Sequence, residues 1–153
     1  MKVSDQEAYQ RSLDLMNQVG IPQPENRLKQ YPHQFSGGMR QRVVIAIALA
    51  GEPDLIIADE PTTALDVSIQ DQILGLIRDL CIKKNVGCML VTHDMGVVSN
   101  VTDRVAVMYR GDLVEFGPTA KVLGTPEHPY THSLISAVPR SDRKLCLLYT
   151  SPS

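Results

Sequence analysis

The chain has 153 residues, enough for one modest domain that buries about two thirds of its unfolded surface. Hydrophobic residues make up 43% and charged residues 21%, an ordinary globular composition that excludes an extended disordered protein. A net charge of −2, from 15 basic and 17 acidic residues, argues against a dedicated nucleic-acid or anionic-membrane binder. The longest apolar run, Val43 to Ala50, is far short of the roughly 20 residues that a membrane-spanning helix needs. The first residues turn polar at once, so no secretory signal is expected. Cys81, Cys88 and Cys146 are odd in number and form no CxxC pair, which reads as free thiols. Trp is absent and Phe is scarce, which leaves little for stacking single-stranded nucleic acid.

Ser4-Asp5-Gln6-Glu7 is a capping-box pattern that opens a helix bearing Leu13, Met16 and Val19, closed by Gly20. Ile21-Pro22-Gln23-Pro24 reads as a linker, followed by a short polar helix over Glu25 to Gln30 that Tyr31-Pro32 ends. After Gly38 the run Val43 to Ala50 is apolar nearly all round, so a buried helix is expected, ending at Gly51. Leu55-Ile56-Ile57-Ala58 reads as a buried parallel strand. Asp66 opens a second amphipathic helix with Ile69, Ile73, Leu76, Ile77 and Leu80 on one stripe. Cys88 to Thr92 reads as another buried strand, and Asp94 to Asn100 as a short helix. Arg104 to Tyr109 and Leu113 to Phe116 form two strands around a turn at Arg110-Gly111-Asp112. This order predicts an α/β fold with a largely parallel sheet.

Two constellations carry chemistry. In Leu55 to Pro61, two acids, Asp59 and Glu60, stand at the C-terminal end of an apolar strand, the edge where ligands sit in open α/β sheets. A carboxylate held there suits Mg²⁺, a hard cation that keeps several waters, and an adjacent acid can orient a water. On its own this is a weak signal, read more readily as a strand end capped by solvated acids. The second is Phe35-Ser36-Gly37-Gly38-Met39-Arg40-Gln41-Arg42. Ser36 is a good N-cap, two glycines let backbone N–H groups approach a ligand, and a helix N-terminus attracts anions.

Together these motifs resemble the C-terminal part of an ABC-transporter ATP-binding subunit. Phe35 to Met39 resembles the LSGGQ signature, with Phe for Leu and Met for Gln. Leu55 to Glu60 resembles Walker B, Thr63-Ala64-Leu65-Asp66 the D-loop, and Val91-Thr92-His93-Asp94 the H-loop. Gly111 to Thr119 is similar to the hairpin that follows the H-loop in many such subunits. Pro126-Glu127-His128-Pro129-Tyr130-Thr131 and Leu134 to Arg140 are similar to the HPY extension of oligopeptide, dipeptide and nickel importer ATPases, as is the lead-in Tyr31-Pro32-His33-Gln34. The resemblance covers roughly 140 residues. His33, and the i, i+4 pair His128 and His132, read as local structure and not as metal ligands.

The resemblance implies a partial P-loop NTPase fold: a partial helical subdomain with the signature over residues 1–50, an ATPase core over 51–117, the HPY-type extension over 118–144, and a non-native or disordered tail over 145–153. It implies that Glu60 polarises the attacking water and His93 contacts the γ-phosphate of ATP. It implies that Asp59 holds Mg²⁺ through water, that Ser36, Gly37 and Gly38 contact nucleotide on a second ATPase subunit, and that Asp66 communicates across that interface. Further implied partners are transmembrane permease subunits and, indirectly, a substrate-binding protein, with the subunit peripheral on the cytoplasmic face of the membrane. None of the six lysines follows a glycine, so the GxxxxGK[ST] phosphate loop is absent, and the 153 residues alone are expected to bind ATP poorly and hydrolyse none. An open parallel-sheet edge is expected where preceding strands would pair. A partner-dependent or inactive short ABC protein and a soluble non-transport ABC ATPase stay open as alternatives. The HPY extension and the lack of a long coiled coil favour the importer.

Overall fold

The computed structural model describes residues 3–63 and 65–137. These fall into two compact units, the first ending at His93 and the second starting at Asp94. Ala64 of the D-loop resemblance, Val138 to Arg140 of the extension, Cys146 and the expected tail lie outside the described residues.

In the first unit, helix α1 (Asp5–Gln18) begins where its sequence predicts: the Ser4 hydroxyl accepts the Glu7 N–H at 3.2 Å. Its far end is closed by an arginine. Arg42 Nη1 donates to the Val19 carbonyl at 2.8 Å, placing a cation at the negative end of the helix. Gly20 makes room: its φ is +72°, and a Cβ there would stand 3.1 Å from that nitrogen. The expected polar helix is shorter and earlier, α2 (Pro24–Arg27), because Pro24 suits a first helical position. A single 3-10 turn, Pro32–Gln34, leads to α3 (Gly37–Ala50).

The core of this unit gathers Met16, Val19 and Ile21 from the α1 side, Ile45, Ala46 and Leu49 from α3, and Ile73, Ile77, Leu80 and Cys81 from α4 (Val67–Lys84). Removing each large aliphatic side chain from water contributes about 1.5–3 kcal/mol. Asn85, in the left-handed region at φ +53°, terminates α4 with its N–H on the Ile82 carbonyl. Helix α3 is not buried all round, as its apolar run predicts. Ile45 and Leu49 are buried, but Val44 and Ile47 are 54% and 68% exposed.

Strands β1 (Leu55–Asp59) and β2 (Gly87–Val91) pair in parallel, Leu55 opposite Gly87 and Asp59 opposite Val91. Their positions match the expectation, but their burial does not. Leu55, Ile57, Met89 and Val91 share one face and are exposed, because this sheet has only two strands among the described residues. An apolar groove of about 220 Å³ runs between α3, β1 and α4, lined by Val44, Ile45, Ile56 and Ile77 among others. The Cys81 and Cys88 thiols lie together where α4 gives way to β2. Partial burial and the Cys81 neighbour push Cys88 up to about 11, and burial also raises Cys81, so both are sluggish free thiols.

The second unit starts with α5 (Met95–Val101), capped by Asp94, whose Oδ1 accepts the Gly96 and Val97 N–H groups at 2.8 and 3.3 Å. Strands β3 (Arg104–Tyr109) and β4 (Asp112–Pro118) form an antiparallel hairpin. Arg110 and Gly111 both have positive φ, at +54° and +94°, the turn shape that matches strand twist, and Asp112 already pairs with Tyr109. The described strands are one parallel pair, as expected of an α/β core, and one antiparallel pair, the expected hairpin. Helices α6 (Thr119–Gly124) and α7 (Pro129–Ser136) follow.

Candidate functional site

The site forms at the C-terminal end of the β1–β2 pair. Pairing continues one residue past β1: the Glu60 N–H donates to the Val91 carbonyl at 2.9 Å. The backbone then turns sharply, with Glu60 at φ +42°. A non-glycine residue in this left-handed region costs about 1–2 kcal/mol, the kind of strain that gathers at functional positions. The turn takes Glu60 off the line of the strand. Asp59, the last residue of β1, stays on the exposed face of the pleat.

Glu60 meets His93, 33 residues later, at the end of β2's continuation. Glu60 Oε1 lies 2.8 Å from His93 Nδ1. The second carboxylate oxygen is also engaged, because Thr63 Oγ1 donates to Glu60 Oε2 at 3.0 Å. The His93 hydrogen bond, the Thr63 hydrogen bond and the charge of His93, in that order, hold the Glu60 carboxyl below the usual carboxylate range. Glu60 is thus ionised at neutral pH and suited to accepting a hydrogen bond from water. His93 is largely exposed and open to a ligand.

Ser36 caps α3: its hydroxyl accepts the Met39 N–H at 3.3 Å, and its own proton stays available for donation. The first-turn N–H groups of α3 have no intrahelical partners, as at any helix start. Gly37 and Gly38 have a packing reason beyond ligand approach. A Cβ on Gly38 would come within 2.9 Å of Ile69 Cγ2, and one on Gly37 within 3.3 Å of Leu65 Cδ2. The signature glycines therefore seat the start of α3 against the start of α4. Among the described residues, no hydrogen bond joins Ser36, Gly37 or Gly38 to Asp59, Glu60 or His93.

Asp66 sits at the N-cap position of α4, but its side chain makes no capping hydrogen bond, contrary to the simple N-cap reading. Its backbone carbonyl accepts from Ile69 and Gln70 at 2.8 and 2.9 Å. The carboxylate is exposed. For Mg²⁺ the test is the donor set. Among the described residues there is no cluster of three or more His, Cys, Asp or Glu side chains. Asp59 alone fits the usual Mg²⁺ arrangement of one or two carboxylates completed by water and phosphate oxygens.

His128 is the N-cap of α7, its Nδ1 accepting the Tyr130 N–H at 3.1 Å, and Pro129 occupies the first helical position. Glu115 of β4 accepts the Glu127 and His128 N–H groups at 3.0 and 3.1 Å. The Tyr130 ring lies 4.3 Å from that of Tyr109. The HPY stretch is thus a helix start clipped to a hairpin.

The sequence places Thr63 in the D-loop resemblance, Arg42 beside the signature and Glu115 in the hairpin, but it assigns these residues and Gln70 no specific contact. Thr63 stands three residues after Glu60, the offset of a tight turn, which was the available signal. The partners of Arg42 and Glu115 are distant in sequence and leave no local trace.

Residues 1–63 match the ABC transporter family, and residues 114–153 match the oligopeptide/dipeptide transporter C-terminal region. Both matches are to ABC-transporter components. The C-terminal match is the one particular to oligopeptide/dipeptide transporters. The chain is 57% identical to a dipeptide transport ATP-binding protein, DppD, of Bacillus subtilis over 141 residues, 92% of this chain and 42% of the relative. It is 56% identical to the oligopeptide transport ATP-binding protein OppD of the same organism, over 90% of this chain and 38% of the relative. The chain thus spans about two fifths of these relatives. Among solved structures it resembles cbiO1 of Clostridium perfringens, part of an ABC transporter complex, with a TM-score of 0.71 at 30% identity, covering 83% of this chain and 49% of that one. It also resembles the dimeric bacterial cassette MJ0796, with a TM-score of 0.64 at 31% identity, covering 78% and 50%.

Proposed function

We propose that this chain supplies the hydrolytic and signature faces of an ATP-hydrolysing subunit that powers import of oligopeptides or dipeptides. The observation that carries this reading is the 2.8 Å contact between Glu60 and His93 at the C-terminal end of a parallel strand pair. Glu60, ionised and fixed at both oxygens, orients the attacking water and accepts its hydrogen bond. His93 donates from Nδ1 to Glu60. To donate from Nε2 to a phosphate oxygen as well, the ring must be the imidazolium, so it brings positive charge to the transferring phosphoryl group. Asp59 is the residue that would hold Mg²⁺ through its water shell; when bound, the ion neutralises charge developing on the phosphates. The Ser36 hydroxyl and the first turn of α3 suit the phosphates of a nucleotide held by a second ATPase subunit, with Asp66 at the same dimer face.

The match of residues 114–153 supports an importer over a soluble ABC ATPase. In this reading the subunit lies peripherally on the cytoplasmic face of the membrane, against permease subunits served by a substrate-binding protein. No helix among the described residues is long and apolar enough to cross a membrane.

A chimaera tests this. Residues 1–153 replace the matching segment of the Bacillus subtilis dipeptide relative, and ATP turnover and dipeptide uptake are measured with that relative's permease subunits. The chimaera is expected to turn over ATP and drive uptake. Glu60→Gln is expected to lower turnover more than about a hundredfold while ATP still binds. Near-normal turnover in that variant would remove Glu60 from the hydrolytic role.

A further inference from the structure

The carboxylate of Glu60 has two oxygens, and the structure assigns each a different holder. His93 takes Oε1 at 2.8 Å, and the Thr63 hydroxyl takes Oε2 at 3.0 Å. Thr63 is itself held in place. Its backbone N–H donates to the Glu60 carbonyl at 3.2 Å, closing a turn, and the Leu65 N–H does the same to Thr62 at 3.2 Å. From the first turns of α4, Gln70 Nε2 donates to the Leu65 carbonyl at 3.0 Å and the Thr62 carbonyl at 3.4 Å. The loop between strand and helix is thereby tied down on both sides of Thr63.

We infer that Thr63 is a positioning residue: its hydroxyl, fixed by the Gln70 clamp, sets the rotation of the Glu60 carboxylate so that one oxygen faces His93. The inference rests on Glu60 being the water-orienting group. A free glutamate carboxylate rotates about its last bond over a broad, two-fold range. A hydrogen bond to one oxygen leaves the plane free to swing, whereas bonds to both oxygens fix it. Glu60 has the further constraint of its left-handed backbone, so the side chain starts from an unusual direction. The Thr63 hydroxyl is one donor that can hold it there. A carboxylate accepts only, so the same geometry requires a proton on His93 Nδ1. Neutral His93 is then the Nδ1–H tautomer while the carboxylate faces it. The state of the His93 ring therefore reports how Glu60 is held.

The experiment compares the wild-type chain with Thr63→Val, which keeps the shape and loses the hydroxyl, and Thr63→Ser, which keeps the hydroxyl. Long-range proton–nitrogen NMR spectra of the 153-residue chain, at mildly alkaline pH where imidazole is neutral, identify the protonated nitrogen of His93. The wild type and Thr63→Ser are expected to show the Nδ1–H form, and Thr63→Val to shift toward Nε2–H. In the chimaera, Thr63→Val is expected to lower kcat about tenfold with KM for ATP unchanged, and Thr63→Ser to restore it to within about twofold. An unchanged His93 tautomer in Thr63→Val overturns the inference, and so does a loss in Thr63→Ser equal to that in Thr63→Val. If the tautomer shifts but Glu60→Gln keeps near-normal turnover, the positioning role stands and the hydrolytic assignment of Glu60 fails. The two failures are therefore separable.

Discussion

The two units of this chain solve the same problem, closing a two-stranded sheet, in opposite ways. The parallel pair β1–β2 relies on helices packed against one face and leaves Leu55, Ile57, Met89 and Val91 open on the other. The antiparallel pair β3–β4 relies on local devices: a two-residue turn with positive φ at Arg110 and Gly111, and a carboxylate that receives the chain returning at Glu127 and His128. Parallel strands need coverage on both faces and long crossovers, so half of such a sheet is incomplete by construction. A hairpin carries its register within a few residues. The Glu60–His93 pair sits on the first kind of sheet. Its geometry depends on one strand pair and the backbone bond from Glu60 to Val91, without further strands among the described residues.

The comparison is tested most severely at Ile73. It is fully buried in α4 and belongs to the core that holds α1, α3 and α4 together. Ile73→Ala is expected to destabilise the first unit by about 2–5 kcal/mol, through lost burial and the cavity left behind. Amide hydrogen exchange should show protection falling in α1, α3 and α4 while the β3–β4 amides hold theirs. Equal loss in the hairpin would mean that the two regions unfold as one and that the contrast is only geometric.

A smaller effect is expected at Gly38. A methyl there meets the branched Ile69 Cγ2 at 2.9 Å, and a β-branched side chain on a helix has little rotamer freedom with which to move aside. Gly38→Ala should cost about 1–3 kcal/mol in chemical denaturation, net of the gain in helix propensity. Equal or higher stability would show that this glycine is kept for ligand approach and not for packing. Ile69→Ala in the same background should recover part of the loss, which a ligand-only role would not predict.

Much of this was legible from residues alone. The caps at Ser4 and Ser36, the hairpin turn and the strand bearing Asp59 and Glu60 all announce themselves through short-range rules. The order of motifs gave Glu60 and His93 roles at one nucleotide site, but their direct contact was not legible, because no spacing rule predicts a contact 33 residues apart. Burial was misread for a physical reason. An apolar run reports what a segment is fit to bury against, and Ile57 and Val44 carry that fitness although nothing among the described residues covers them. The same limit explains Asp66, whose type and place fit an N-cap while its side chain makes no such bond. Thr63 and Gln70 escaped because their roles are set by a loop conformation and not by residue periodicity.

The smallest expected effect falls in the second unit and tests whether the HPY stretch is held by charge. Glu115 accepts the Glu127 and His128 N–H groups, and Lys121 pairs with Glu127 at 3.1 Å on the exposed side. Thr131, fully buried, influences the same carboxylate most, although its hydroxyl makes no hydrogen bond of ordinary geometry; the Glu127 N–H follows. Together they hold the Glu115 carboxyl below its usual range. A group whose value is lowered on folding binds fewer protons in the folded chain. Its contribution is therefore complete above the ordinary glutamate range and disappears as pH falls through that range and below it. Exchange protection of the Glu127 and His128 amides should follow this course in the wild type and be weaker and pH-independent in Glu115→Gln. The glutamine keeps one acceptor oxygen and loses the charge, so retained protection at neutral pH would show that the clip is a matter of shape. Loss confined to these amides, with β3–β4 protection intact, would show that the hairpin stands alone and that charge holds only the start of α7.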